Sequence, residues 1–297
     1  MGSDGIDWQS WQSFKAAQKE IILPGGAVAH IPVTIRYIDE GTAQRGTVLL
    51  MHGIPTWGYL YHAVIPPLLA ARYRVIAPDF LGHGWSDRRD RFDRSFQDQA
   101  RMIGALLSAL KLPRVDVVGH DTGGAVALML AIERAPLVNR LVITNAVCYD
   151  RFDDDMLDFG HPLRWQPRPV SDLIAALEES LAAGLANPDR LTPAFREGII
   201  APWASEAGKL SLLRNASALN ANQTMALVDR HGTITAPTLV LWGMADPWQR
   251  PEDGARLARE IPGARFQAIN RASHWVQQDA PEAFTAAVLA FLNDGPG

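Results

Sequence analysis

The six residues Gly119-His120-Asp121-Thr122-Gly123-Gly124 constrain this chain more than any others. They follow the run Val115-Asp116-Val117-Val118 directly and lead into Ala125-Val126-Ala127, so a strand must give way to a helix within one tight turn. Glycines at 119 and 123 let the backbone turn that sharply, and the turn pushes the middle side chain, Asp121, outward. The helix N-terminus behind it stabilises a carboxylate. An ordinary glycine-rich turn with a capping Asp would have the same local pattern. Context and partner residues separate the two.

Short runs rich in β-branched residues alternate with longer helical patterns, the mark of βα units around a mostly parallel sheet. The runs are His30–Ile38, Thr47–Leu50, Tyr73–Ala77, Arg114–Val118, Arg140–Thr144, Thr238–Trp242 and Arg265–Ile269. Several are apolar on both sides, as a sheet covered by helices on both faces requires. Helical patterns cover Tyr59–Ala70, Ser95–Leu110, Gly123–Arg134, Glu252–Glu260 and Pro281–Leu292, punctuated by Pro113, Pro136, Pro237 and Pro262. From about Asp150 to His231 the strand signal vanishes, and helix-like stretches such as Ser171–Ala183 and Ala207–Ala226 replace it. The expected organisation is a core domain of residues 1–149 and 232–297 with a helical cap, residues 150–231, inserted into it. The acidic run Asp150, Asp153, Asp154, Asp155 and Asp158 lacks the Gly and terminal Glu of a calcium loop, and a solvated edge of the cap is expected there.

Of the 297 residues, 47% are hydrophobic and 20% charged, which supports a sizeable core and leaves too little net charge for disorder. A formal charge of −4 supplies no basic field for a polyphosphate, so nucleic acid is not an expected partner. The lone Cys148 cannot form an internal disulfide, and no Cys and His residues fall at metal-ligand spacing, which excludes structural zinc. Met1-Gly2-Ser3-Asp4-Gly5-Ile6 has no apolar export region, and Ile6 breaks the myristoylation pattern. With no apolar run long enough for a bilayer, a cytoplasmic protein without a membrane partner is expected, as monomer or homodimer.

The partners of Asp121 come from three other strand ends. His52-Gly53-Ile54-Pro55 follows the strand begun at Thr47, and the backbone N–H groups of Ile54 and Thr122 are expected to form an oxyanion hole. His52 is read as bracing that loop. Trp242-Gly243-Met244-Ala245-Asp246 and Ala272-Ser273-His274 complete a set in the chain order Asp121, Asp246, His274, which is nucleophile, acid, base. An attacking carboxylate makes an ester, and the ester must then be cleaved by water that His274 deprotonates while Asp246 holds its imidazole. The remaining histidines, with Asp79 and Asp87, are read as structural.

These motifs resemble the α/β-hydrolase superfamily over nearly the whole chain, and within it the Asp-nucleophile branch of haloalkane dehalogenases, fluoroacetate dehalogenases and epoxide hydrolases. His52-Gly53-Ile54-Pro55-Thr56-Trp57-Gly58-Tyr59-Leu60-Tyr61 and Ala77-Pro78-Asp79-Phe80-Leu81-Gly82 look most like the haloalkane dehalogenases. The resemblance implies an α/β-hydrolase fold, displacement by Asp121 at an sp3 carbon, and hydrolysis of the alkyl ester, with no cofactor and with a small apolar organic molecule and water as reactants. Those dehalogenases normally carry Trp after the nucleophile, and an Asn or Glu after the His-Gly; here stand Thr122 and Ile54. Fluoroacetate enzymes put Arg after the nucleophile, and epoxide hydrolases use two cap tyrosines, whereas residues 150–231 contain no tyrosine. Trp165 and Trp203 are therefore expected to hold the leaving group, with Trp57 and Tyr149 as further substrate contacts. Carbon–halogen substrates are placed ahead of epoxides on the tryptophans and missing tyrosines. A binding protein that kept the fold without turnover is the reading from a different class.

Overall fold

Val48 and Leu50 face one side of the central sheet while Leu49 and Met51 face the other, and all four are fully buried. A strand apolar on both faces needs helices on both faces. The computed structural model describes residues 5–294, so Met1–Asp4 of the N-terminal stretch read for export signals lie outside the described residues. Eight strands, β1 (Lys19–Leu23), β2 (Val33–Gly41), β3 (Thr47–Met51), β4 (Arg74–Pro78), β5 (Val115–Asp121), β6 (Val138–Ala146), β7 (Thr238–Gly243) and β8 (Arg265–Ile269), form one sheet in the order β1-β2-β4-β3-β5-β6-β7-β8. Pairing is parallel from β4 through β3, β5, β6, β7 and β8, and antiparallel at β1–β2 and β2–β4.

The edge strand β1 gives no clear sequence signal, because Lys19-Glu20 open it and most of its side chains face solvent. Helices α1 (Trp11–Ala17), α2 (Ile65–Ala70), α3 (Phe96–Ala109) and α4 (Thr122–Glu133) precede the sixth strand. The pattern over Tyr59–Ala70 resolves into a short 3-10 turn, Gly58–Tyr61, and then α2, where Pro66 and Pro67 sit in the first turn that needs no donors. Ser95 caps α3 by accepting the Asp98 N–H. Cys148, just past β6, is buried, and its thiol is pushed well above the ordinary range by burial and then by Asp253 and Glu260.

Between β6 and β7 lie α5 (Asp154–Phe159), α6 (Pro162–Trp165), α7 (Val170–Ala183), α8 (Pro193–Ile200), α9 (Glu206–Ser217) and α10 (Ala221–Met225), with no strand. The helix expected over Ala207–Ala226 is two, because Asn220 turns its side chain onto the Asn222 N–H and starts α10 afresh. A 3-10 turn, Val228–Thr233, runs across the boundary expected at residues 231/232. The fold closes with α11 (Pro251–Glu260), α12 (Val276–Asp279) and α13 (Pro281–Asn293). Side chains of α3, α4 and α11 cover one face of the sheet, and those of α2, α13 and the helical insertion pack over the other. In such sheets the crevice beyond the carboxyl ends of the parallel strands is where ligands bind.

Candidate active site

Asp121 ends β5 with φ of 53°, in the left-handed region that costs a non-glycine residue of the order of 1–3 kcal/mol. The turn survives because its glycines admit close neighbours: a Cβ on Gly123 would strike the Met51 and His52 carbonyls, and one on Gly124 would strike Ala146. The outcome is a carboxylate held at the mouth of α4. Its Oδ1 accepts the Ile54 N–H at 2.8 Å, and the Thr122 N–H lies near enough to favour the carboxylate's charged form. Those are the two donors expected of an oxyanion hole. Burial pushes the Asp121 carboxyl up, opposed by His274 and by these two N–H groups.

His274 follows β8. Its Nδ1 lies 2.9 Å from Asp246 Oδ2 and its Nε2 lies 3.9 Å from Asp121 Oδ2. With the Nδ1 proton given to Asp246, Nε2 keeps its lone pair and faces the Asp121 carboxylate at a separation too long for direct proton transfer. The ring is held between Trp275, with centroids 4.4 Å apart, and Trp248, at 4.9 Å, while the Nε2–H of His120 donates to the His274 carbonyl. Burial alone would lower the His274 pKa, yet the neighbouring carboxylates of Asp246, Asp121 and Asp153 carry it above its ordinary 6.5. Asp246 Oδ1 accepts the N–H groups of Trp248 and Gln249, and its Oδ2 accepts the amide of Asn145 at 2.7 Å. Asn145 is the contact that sequence reasoning missed; its φ of 41° at the end of β6 gives no sequence signal.

His52 is a brace. The Phe80 N–H donates to its Nε2, so its Nδ1 carries the proton given to the Gly53 carbonyl. Asp79 likewise knots loops, accepting from Gln18, Gly58 and Trp85. Burial lifts its carboxyl to about 6 against those bonds.

The leaving-group contacts expected from the sequence require correction. Trp165 gives its indole N–H to Asp158 at 2.8 Å and packs on Phe159; Trp203 gives its own to the Pro55 carbonyl at 2.7 Å. Trp57 donates to the Gly198 carbonyl, and the Tyr149 hydroxyl donates to Glu260. None of the four lines the cavity at Asp121. The reason is general: a donor enclosed in apolar packing must find an acceptor within the protein, and each of these has one. Trp203 thereby ties the insertion to the loop that carries Ile54.

That cavity is tight, with about 20 Å³ open to the centre of a water-sized sphere, and it is lined by Asp121, Thr122, Ile54 and His274. The insertion contributes Phe152, Asp153, Met156, Ser180 and Leu219; core loops contribute Trp248, Gln249 and Trp275. Trp248 is a further contact that sequence reasoning missed, although its place two residues after Asp246 was a signal for it. Asp153 is a correction to the solvated edge expected of the acidic run, since it turns inward while Asp154 and Asp155 stay exposed. Burial raises its carboxyl to about 6. Among the described residues no three His, Cys, Asp or Glu side chains group as metal ligands, and no helix is long and apolar enough to cross a membrane.

A sheet of this topology with a strained turn after β5, an aspartate after β7 and a histidine after β8 is the framework of a hydrolase class. A family model described as the alpha/beta hydrolase fold matches residues 46–281, and the chain belongs to that family. It is 32% identical to haloalkane dehalogenase 2 of Mycobacterium tuberculosis over 262 residues, 86% of this chain and 90% of the relative. It is also 27% identical to a cis-3-alkyl-4-alkyloxetan-2-one decarboxylase of Xanthomonas campestris, over 89% of this chain and 94% of that one. Among solved structures, an alpha/beta hydrolase fold protein from Burkholderia ambifaria superposes with a TM-score of 0.80 at 29% identity, covering 87% of this chain and 94% of that one.

Proposed function

We propose that this protein hydrolyses small apolar molecules by attacking saturated carbon with the Asp121 carboxylate, forming an alkyl ester that water then cleaves. The observation that carries the reading is the continuous set Asp246–His274–Asp121, with bonded separation at one end, 2.9 Å, and an open 3.9 Å at the other. The first step needs an ionised carboxylate and no base. The second needs a neutral His274 Nε2 to take a proton from water, and the Ile54 and Thr122 N–H groups to hold the charge that develops on the ester carbonyl oxygen. Neither step calls for a cofactor. Esterification removes the negative charge of Asp121, which is one cause of the raised His274 pKa. The intermediate thus makes its own base more available.

Carbon–halogen bonds are supported as the substrate by the relative named a haloalkane dehalogenase. Carbon–oxygen substrates such as epoxides are supported by the pocket, where the expected indole donors are engaged elsewhere and a carboxyl group, Asp153, stands among the lining residues. The experiment is a trapped intermediate. His274→Gln given substrate should accumulate a mass increase on the peptide containing Asp121, and one wild-type turnover in heavy-oxygen water should label that carboxylate. Label in product alone, with no adduct, would mean direct attack by water and would remove Asp121 as nucleophile. A binding protein without turnover would give neither.

A further inference from the structure

Asp153 shares the cavity with Asp121 and His274, and it is the one other lining side chain able to give up a proton. Ser180, Thr122, Gln249, Trp248 and Trp275 offer neutral donors only, the Trp275 indole N–H being without a partner among the described residues. The attacking oxygen comes from a core loop, so in an in-line displacement the leaving atom departs toward walls that the insertion supplies. Asp153 stands on that insertion, at the N-cap of α5, where its Oδ1 accepts the Asp155 N–H at 3.0 Å. Its other oxygen takes no hydrogen bond from the described residues.

We propose that Asp153 is the acid that protonates the leaving atom, and that the preferred substrate is therefore an epoxide-like strained ring whose carbon–oxygen bond breaks, rather than an alkyl halide. This rests on Asp121 acting as nucleophile. A halide leaves as a stable anion and needs no proton, whereas an alkoxide is a poor leaving group until protonated. A carboxyl group suits the second case and, when ionised, repels the product of the first.

The step balances. An Asp121 oxygen forms a bond to ring carbon, the carbon–oxygen pair moves to the ring oxygen, and that oxygen takes the Asp153 proton, leaving a β-hydroxyalkyl ester and the Asp153 carboxylate. Water, deprotonated by His274, adds to the ester carbonyl. Collapse releases the diol, with the His274 proton returned to the departing oxygen, and re-ionisation of Asp121 supplies the proton that restores Asp153. An open groove carrying Asp150, Arg151, Asp154 and Asp155 also reaches Asp153, giving it a route to solvent protons. The charged groups acting on Asp153 are Asp155 on its own helix and His274 and Asp121 from the core. Burial, ahead of these, places its titration at about 6, where a carboxyl exchanges protons near neutral pH.

The test uses 1,2-epoxyhexane and 1-bromohexane, with ester formation on Asp121 followed by mass in the His274→Gln protein with and without Asp153→Asn. Asn preserves the cap on Asp155 and cannot donate the proton, so thermal unfolding should be little altered. The epoxide-to-bromide ratio of alkylation rates should fall roughly 10²-fold on Asp153→Asn. Epoxide alkylation with Asp153 intact should decline as pH rises past about 6. An unchanged ratio, or failure of the wild type to open any epoxide in a series from propylene oxide to styrene oxide, overturns the proposal while leaving Asp121 as nucleophile. Absence of any adduct from either probe, in a protein whose wild type turns one over, overturns the nucleophile reading itself.

Discussion

The floor and the roof of the cavity are built on different terms. The floor consists of Asp121, Ile54, Thr122, His274 and Asp246, set by strand ends whose backbone has little choice: a positive φ, glycines with no room for Cβ, and a histidine packed between two indoles. The roof consists of side chains from the helical insertion, whose polar groups bond both within it, as Trp165 does to Asp158, and to the core, as Trp203, Ser211 and Asn215 do. In the mechanism proposed above, the floor fixes the order of chemical events and the roof selects the leaving group.

The largest effect should come from the floor. Asp121→Ala should lower turnover by roughly 10⁴-fold or more while circular dichroism shows the fold retained, because the bonding atom is lost and the flanking glycines still shape the turn. Full activity in fresh Asp121→Ala would erase the distinction between floor and roof. Asp246→Asn should slow ester hydrolysis by roughly 10³-fold, since it removes the charge that orients and stabilises the imidazolium, and leave alkylation much less affected. Pre-steady-state measurement separates the steps.

The pH dependence sharpens the same contrast. His274 works as a base only when neutral, so hydrolysis should fall by up to about tenfold per pH unit as pH drops below its pKa in the ester; in the free protein that pKa is raised above 6.5. In the ester the Asp121 charge is gone, and the acid limb of ester hydrolysis, read in wild-type single turnovers, should lie at lower pH than His274 titrated directly in the free protein. Coincident limbs would mean that Asp121 and His274 do not sense each other. Asn145→Ala should be milder, about tenfold on hydrolysis, since the Trp248 and Gln249 N–H groups still hold Asp246.

Smallest of all on chemistry should be Trp165→Phe and Trp203→Phe. Both indole N–H groups are spent on protein acceptors, so alkylation should stay within about twofold, and each change should cost about 1 kcal/mol of stability in denaturant titrations. A large alkylation defect in Trp165→Phe with wild-type stability would show that its N–H reaches the substrate after all.

The floor was legible in the sequence because its chemistry is tied to backbone geometry. Gly119 and Gly123 around Asp121, and the chain order of Asp121, Asp246 and His274, all follow from turns that only a few residue types allow. The roof was not. Which way Asp153 turns, among five acidic residues in nine positions, depends on capping α5 and on where the helix packs, and neither has a periodic signature. Trp165 and Trp203, expected at the leaving group, spend their N–H groups on Asp158 and the Pro55 carbonyl, and composition cannot tell whether an indole faces such an acceptor or a void. β1 escaped notice for the opposite reason, being an edge with little to bury.

One buried thiol sets the terms on which the covalent chemistry can be observed. Cys148 is the single cysteine of the chain, it is enclosed, and it holds its proton far above neutral pH. The thiolate, which is the competing soft nucleophile for alkylating probes, is thus suppressed in the folded protein. An intact-protein mass shift obtained with a bromoalkane under native conditions therefore does not come from the thiol and needs no prior thiol blocking, and a second shift that emerges only after unfolding counts the cysteine.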